Sequence, residues 1–257
     1  MRAITFKISG KTACFRKPDV NQYAYFTYNN IHKVALLGLL GAIIGLGGYA
    51  QLHDKNRGLK RGKIGYDDGY PEFYEKLQNL KVSIIPLSSQ GYFTKKIQVF
   101  NNSVGYASFE EGGNLIVREQ WLENPAWQII VLDDGSEIYK TLKEYLINQK
   151  ACFIPYLGKN DHPANIEDVK EIILSKELFK IEDEVYIDSL FPYEDNMSLG
   201  WVRDDNELEF IFQEFSPISL QKDWHFYEYK KLIFTNKSVT PLPKDTYSYE
   251  NKNYTFI

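Results

Sequence analysis

Residues 27–50 read TYNNIHKVALLGLLGAIIGLGGYA, and the fold turns on what this stretch is. Residues 34–50 carry no charge, but that is 17 residues with five glycines among them, at the bottom of the roughly 17–25 that a membrane-spanning helix needs. His32 and Lys33 precede the run and a basic cluster follows it. Gly38, Gly41 and Gly45 recur at three- and four-residue spacing, giving a smooth face that lets a helix lie close on a sheet or another helix. A buried helix over about 31–46, capped by Asn29 or Asn30 and stopped at Gly47-Gly48, is the better account. On this reading Gly45 packs, and Gly47 or Gly48 ends the helix.

Working outward, RAITFKISG at 2–10 alternates Ile4, Phe6 and Ile8 against Thr5, Lys7 and Ser9, the pattern of a half-buried strand. Residues 10–30, broken by Pro18, read as a long ordered loop, and 51–70 as a basic, glycine-bearing one. LKVSIIPL, KKIQVF, NLIVREQWL and AWQIIVL read as strands, the last two parted by Asn124-Pro125. Residues 101–114 look like the tip of a hairpin turned by Gly112-Gly113. Ile138, Leu142, Tyr145 and Leu146 share one face of a second helix at about 135–149, and ACFIPYL at 151–157 returns as a strand.

The predicted order is strand, helix, strand, strand, helix, strand. That is an α+β, ferredoxin-like (RNA-recognition-motif-like) domain over 1–157, with a β-hairpin thumb at about 94–122. One sheet face takes both helices and the other is left free. A smaller β-rich accessory region is expected over 158–257, with a short helical piece near 166–174 and strands in ELEFIFQEF and WHFYEYKKLIF.

The 257 residues are 44% apolar and 25% charged, which excludes disordered, collagenous and coiled-coil classes. Two cysteines, Cys14 and Cys152, make no disulfide framework or zinc knuckle, and no charged start leads into an apolar run. A cytoplasmic, reducing setting without a secretory signal is the expectation. The net charge of −4 hides an asymmetry: residues 1–65 hold 11 bases and 2 acids (+9), leaving 19 − 32, or −13, for the rest. Residues 181–215 hold eleven acids against Arg203. Such polarity suits a basic surface for a polyanion with an acidic part facing solvent or a basic partner; scatter over a folded surface is the alternative.

Several motifs only nearly match. GKT at 10–12 has Thr5 where the first glycine of a phosphate-binding loop belongs. GLGGYA at 45–50 ends a helical run instead of opening one, so it is no dinucleotide fingerprint. His32, His53, His162 and His225 lack metal-site spacing, and neither G-x-S-x-G nor the aromatic RNA-recognition signature occurs. No metal or cofactor is expected.

What remains points to anions. His32 and Lys33 enter the first helix where cations oppose the dipole, unless a phosphate binds there; the other reading is that both extend into solvent. Arg16 and Lys17 lie in the preceding loop and extend the same patch. Lys55, Arg57, Lys60, Arg61 and Lys63 form a basic loop, and Tyr23, Tyr25, Phe26 and Tyr28 put aromatics among the bases. That mixture suits single-stranded nucleic acid, or anchors a long loop to the core.

FKISGKTACFRKPDVN, TYNNIHKVALLGLLGAIIGLGGY, LIVREQWL and YLGKNDHPA together resemble CRISPR-associated protein 5, in the form found in type I-B systems, in the expected order to about residue 165. The resemblance implies a ferredoxin-like domain with a protruding thumb, at the foot of an RNA-guided surveillance complex (Cascade). Such proteins hook the 5′ handle of the crRNA and contact the RNA-wrapping backbone subunit and the large subunit. Target DNA is met through the complex, with sequence chosen by guide pairing.

Carried over by position, RNA-binding falls to Arg16, Lys17, Asn30, His32 and Lys33, to the turn of Gly45, Gly47, Gly48 and Tyr49, and to Arg118. Lys159 and His162 lie in a motif that shapes the sheet edge, and the thumb tip acts sterically. A branch in type I-C systems cuts precursor RNA with a tyrosine, a lysine and a histidine. Its Lys-His pair is missing here, although Tyr28, His32 and Lys33 are candidates for metal-independent cleavage. A non-catalytic antiviral-defence subunit with no membrane role is the expectation.

Overall fold

The computed structural model describes residues 1–19, 23–106, 109–176, 184–204 and 206–257. Parts of the expected thumb tip and of the acidic 181–215 stretch therefore lie outside the described residues. The first half runs β1 (Arg2–Ser9), β2 (Thr12–Ala13), α1 (Lys33–Ile43), α2 (Tyr49–Lys55), α3 (Glu72–Leu77), β3 (Val82–Pro86), β4 (Lys95–Asn101), β5 (Ile116–Glu123), β6 (Ala126–Leu132), α4 (Glu137–Ile147) and β7 (Asn165–Ile173). β3, β6, β1 and β7 lie side by side in that order, every neighbour antiparallel. Counting only these four strands with α1 and α4 gives the ferredoxin-like arrangement, in which β1 and β3 run parallel with β6 between them. The fold is α+β as expected.

Ile4, Phe6 and Ile8 of β1 meet Leu36, Leu37, Leu40 and Ile43 of α1 and Leu142 and Leu146 of α4 in one continuous core. Each fully buried aliphatic contributes about 1.5–3 kcal/mol relative to exposure. α1 is shorter than expected at both ends. His32, and neither Asn29 nor Asn30, is its cap, its Nδ1 accepting from the Ala35 N–H at 3.2 Å. At the other end Gly45, at φ +80°, closes the helix: its N–H donates to Ala42 O and the Leu46 N–H to Gly41 O. The glycine that ends the helix, directly after the C-cap Ile44, is therefore Gly45, not Gly47 or Gly48. The smooth face is real at Gly41, where a Cβ would collide with Phe73 of α3.

α2 and α3 stand where a loop was expected over 51–70 and just beyond. α2 buries no residue, so it leaves no periodic signal, and α3 spans only six residues behind Pro71. The fourth strand is β7, not 151–157. A bulge at Asp168 (φ +55°) shifts the register against β1 between Thr5 and Lys7. It lets Ile166 and Val169 both join the helix-side core, and that three-residue step mimics a helix in sequence. Residues 151–157 instead run across the end of α1, where the Cys152 and Phe153 N–H groups bond the Ile43 and Ala42 carbonyls.

The thumb is the β4–β5 hairpin, with β2 on its other side in the order β2-β5-β4. The rest of the chain supplies β8 (Phe191–Pro192), β9 (Ser198–Val202), β10 (Ile211–Leu220), β11 (Tyr227–Thr235), β12 (Lys237–Thr240), β13 (Thr246–Tyr249) and β14 (Lys252–Thr255). β10 and β11 form a long ribbon whose Leu220 and Leu232 enter the main core. Glu214 ties this ribbon to the chain before α1 by accepting the Asn29 N–H at 2.9 and 3.1 Å. The sheet face expected to be free is covered at one end, where Tyr247 and Phe256 pack on Ala3, Ile130, Leu132 and Ile172. Among the described residues no helix is long and apolar enough to cross a membrane.

Candidate nucleic-acid interface

The open side of α1 forms the floor of a groove of about 1200 Å³. Ala35, Gly38, Leu39 and Ala42 line that floor, because α1 is apolar all round and only part of it meets the core. Three walls rise from it. One is the passage Cys14–Phe15–Arg16 with Glu119 and Lys159; the second is Phe153 and Tyr156 from the segment that crosses the helix end. The third joins Gly48 and Tyr49 of the α2 entry to Trp224, His225 and Tyr227 of the ribbon.

Arg16 is exposed, and its guanidinium sits 3.3 Å from the centroid of the Tyr25 ring. That geometry holds a cation at the rim without neutralising it. Lys159 bonds Glu119 at 2.7 Å, and the Trp121 indole N–H donates to the same carboxylate at 2.9 Å. Burial works to raise the Glu119 pKa, but the Lys159 and Trp121 hydrogen bonds prevail and hold it below the usual range. Gly158, at φ +88°, passes so close to the Cys14 carbonyl that a Cβ would collide with it, which fixes Lys159 beside the Cys14–Arg16 passage within this wall. His162 is fully buried, bonds the Thr12 hydroxyl at 2.7 Å and packs edge-on against Trp121.

Of the residues expected at an RNA site, Arg16, His32, Gly48 and Tyr49 border the groove. His32 does so as part of the structure: its ring is buried among Phe15, Tyr28 and Tyr227, and burial pushes its pKa down to about 3. It is a neutral cap, not a first-turn cation. Asn30 is equally internal, donating to Gly91 O at 2.9 Å and accepting the Trp127 indole N–H at 2.9 Å. Lys17 lies against Glu214 at 3.5 Å and over the Tyr28 ring. Burial first, then the neighbouring Lys81 and Lys230, push the Lys33 amine down to about 8.

Gly45 is the helix end, and the Gly47 N–H donates to Glu72 at 2.9 Å. Arg118 is exposed on the thumb, opposite Val99 and away from the groove. In the basic loop, Lys55, Arg57 and Arg61 are paired with Asp67, Asp54 and Asp68. Lys60 and Lys63 have no acidic partner among the described residues. Tyr28, also considered for cleavage chemistry, is buried with its pKa raised, mainly by that burial.

Phe153, Tyr156, Trp224 and His225 carry no site signal in the sequence, because FIPY and WHFY read as strand interiors. Proline between aromatics is the one available sign that the first of these is irregular. Among the described residues no cluster of His, Cys, Asp or Glu is fit to hold a metal ion.

The fold and groove define an α+β protein with a ferredoxin-like sheet and an open, aromatic-walled, cation-rimmed cleft. No protein-family model and no curated protein matches the chain. Among solved structures it is similar to a chain of a CRISPR RNA-guided surveillance complex, at 10% identity over 92% of this chain and 91% of the other, with a TM-score of 0.48. A CRISPR protein from Archaeoglobus fulgidus is similar at 12% identity over 99% and 98%, TM-score 0.48. A chain of a type III-B Cmr-beta complex bound to cognate target RNA is similar at 9% identity over 98% of both chains, TM-score 0.43.

Proposed function

We propose that the chain is a non-catalytic, RNA-binding subunit of a type I-B CRISPR interference complex that caps the 5′ handle of the crRNA. The observation that carries this reading is the groove itself. It gathers Arg16, the Gly48–Tyr49 turn and Lys159, all drawn from segments that resemble CRISPR-associated protein 5, around exposed aromatics. Arg16 at the rim meets phosphates, Lys159 offsets the Glu119 carboxylate that would repel them, and aromatic walls take bases. The backbone and large subunits of the complex are its protein partners, target DNA is reached through them, and the setting is cytoplasmic. The absence of catalysis is supported by His32, whose Nδ1 is occupied as a helix cap and whose ring is buried.

The test incubates the purified chain with labelled CRISPR repeat RNA without metal, then splits each sample between native and denaturing gels. Intact RNA shifted only when it carries the 5′ handle is the expected outcome. A discrete product, lost in His32→Ala, would instead make the chain a metal-independent endoribonuclease that processes precursor crRNA.

A further inference from the structure

The wall of the groove supplied by the β10–β11 loop belongs neither to the sheet nor to the segments that resemble a known family. The loop is tightly closed: the Gln221 N–H donates to Phe226 O at 2.8 Å and the His225 N–H to Gln221 O at 3.0 Å. His225 sits at φ +55°, a left-handed conformation uncommon outside glycine. Its ring is held between Tyr49 at 5.7 Å and Tyr70 at 5.1 Å, and its Nε2 is buried with no hydrogen-bond partner among the described residues.

The clamp on His225 fixes its neighbour Trp224, which is 63% exposed and borders the groove. Arg61 backs the indole, with its guanidinium carbon 4.3 Å from the ring centroid. Arg61 is itself pinned by bonds to Asp223 O at 2.6 Å and Asp68 at 2.9 Å. A large aromatic surface is thus immobilised, backed by a cation and presented to a cleft. The acid bordering that cleft, Glu119, is already neutralised by Lys159.

We propose that Trp224 is a nucleobase-stacking position, taking one unpaired base of a single-stranded RNA lying in the groove. The inference rests on the RNA-binding reading above and adds a specific stacking partner to it. An apolar protein side chain would also fit the indole. Arg16 at the rim, which has no acidic partner among the described residues, and the pinned Arg61 behind the ring favour a ligand that carries phosphates between flat apolar groups.

The test titrates the full chain against labelled single-stranded repeat RNA and against the same RNA carrying one abasic ribose at successive positions. Trp224→Ala is expected to weaken binding to intact RNA by about 5- to 150-fold, the span of base–aromatic stacking. It should cost nothing further on the abasic RNA that already lacks the stacked base. Trp224→Phe should retain most of the affinity. Because the indole is exposed, thermal midpoints of both variants should match the parent, which separates a stacking defect from a folding defect.

Parent-like binding by Trp224→Ala overturns the stacking position alone. An equal loss on every abasic RNA overturns it too, since the residue would then act on the backbone or on groove shape. Unchanged RNA affinity with loss of a partner subunit overturns it in favour of a protein-docking wall. A parent that binds no RNA, alone or with its partner subunits, overturns the RNA reading and this one together.

Discussion

The two ends of α1 are closed by different means, and the difference separates fold from site. At the N-terminal end side chains do the closing: His32 caps, Asn30 joins Gly91 to Trp127, and Glu214 takes the Asn29 N–H. The His32 Nδ1, the Asn30 amide and the Glu214 carboxylate are thus engaged within the protein. At the C-terminal end the backbone does the closing, through the Gly45 turn and the N–H groups of Cys152 and Phe153. Side chains there are not needed as caps, and Tyr49, Phe153 and Tyr156 stand exposed along a groove. Residue types with catalytic or binding chemistry thus mark the structural end, whereas small and aromatic residues mark the open one.

The largest effect that tests this contrast is Asn30→Ala. It leaves the buried Trp127 indole N–H without its partner, while the Gly91 carbonyl loses one of two donors and keeps the Asn29 amide at 3.2 Å. One unsatisfied buried group costs about 1–3 kcal/mol, and a loss toward the upper end of that range is expected from urea unfolding because a hydrogen bond to Gly91 goes as well. RNA affinity of the folded fraction should stay within about twofold, a margin of a few tenths of a kcal/mol. A variant of parental stability with lost RNA binding would reverse the roles assigned to the two ends.

Gly45→Ala probes the other end, at a smaller cost. An L-residue at φ +80° costs about 1–2 kcal/mol, and the added Cβ would stand 2.9 Å from Cys152 Sγ. Relief requires moving either the Leu46–Tyr49 turn or the segment carrying Phe153 and Tyr156, and both border the groove. Stability and RNA affinity should therefore fall together, unlike in Asn30→Ala. Lost stability with unchanged affinity would show that the groove does not depend on how the helix ends.

The same contrast explains what is legible in the sequence. In the ferredoxin-like sheet β1 carries plain alternation in Ile4, Phe6 and Ile8, β3 and β6 are short apolar runs, α1 is apolar throughout and α4 carries an apolar face, so the order of elements follows. β7 is hidden because its bulge turns a period of two into a step of three at Ile166 and Val169. The end of α1 is hard to place because three glycines compete there and only φ distinguishes the one that turns. At the site, Arg16, Gly48 and Tyr49 are legible as loop and turn residues. Asn30 and His32 mislead because burial, which sequence does not display, decides whether a polar side chain faces a ligand or a neighbouring indole. Trp224 and Tyr156 escape a sequence reading because their place in the groove is set by segments far apart in the chain.

The smallest effect is the sharpest for the N-terminal end, because it concerns an expected RNA-binding residue that lies beside other cations. The Lys33 amine is partly buried with no acceptor among the described residues, and Lys81 and Lys230 add like charge. Its folded-state pKa of about 8 lies below the ordinary lysine value of 10.5. The unfolded chain therefore binds the proton more tightly, and stability rises with pH between those values. Below pH 8 the folded protein bears the cost of the charge. Lys33→Met keeps the apolar stem and removes the charge, so it should stabilise the free protein at pH 7 by about 1 kcal/mol, a value discounted for the solvent still reaching the amine. The gain should shrink toward zero above pH 10.5, where both states of the parent are neutral. Thermal melts across that range supply the check. If saturating RNA turns the gain into a loss at pH 7, a phosphate sits against Lys33 and the N-terminal end is part of the site. If the gain persists with RNA bound, the open end of α1 alone carries the binding.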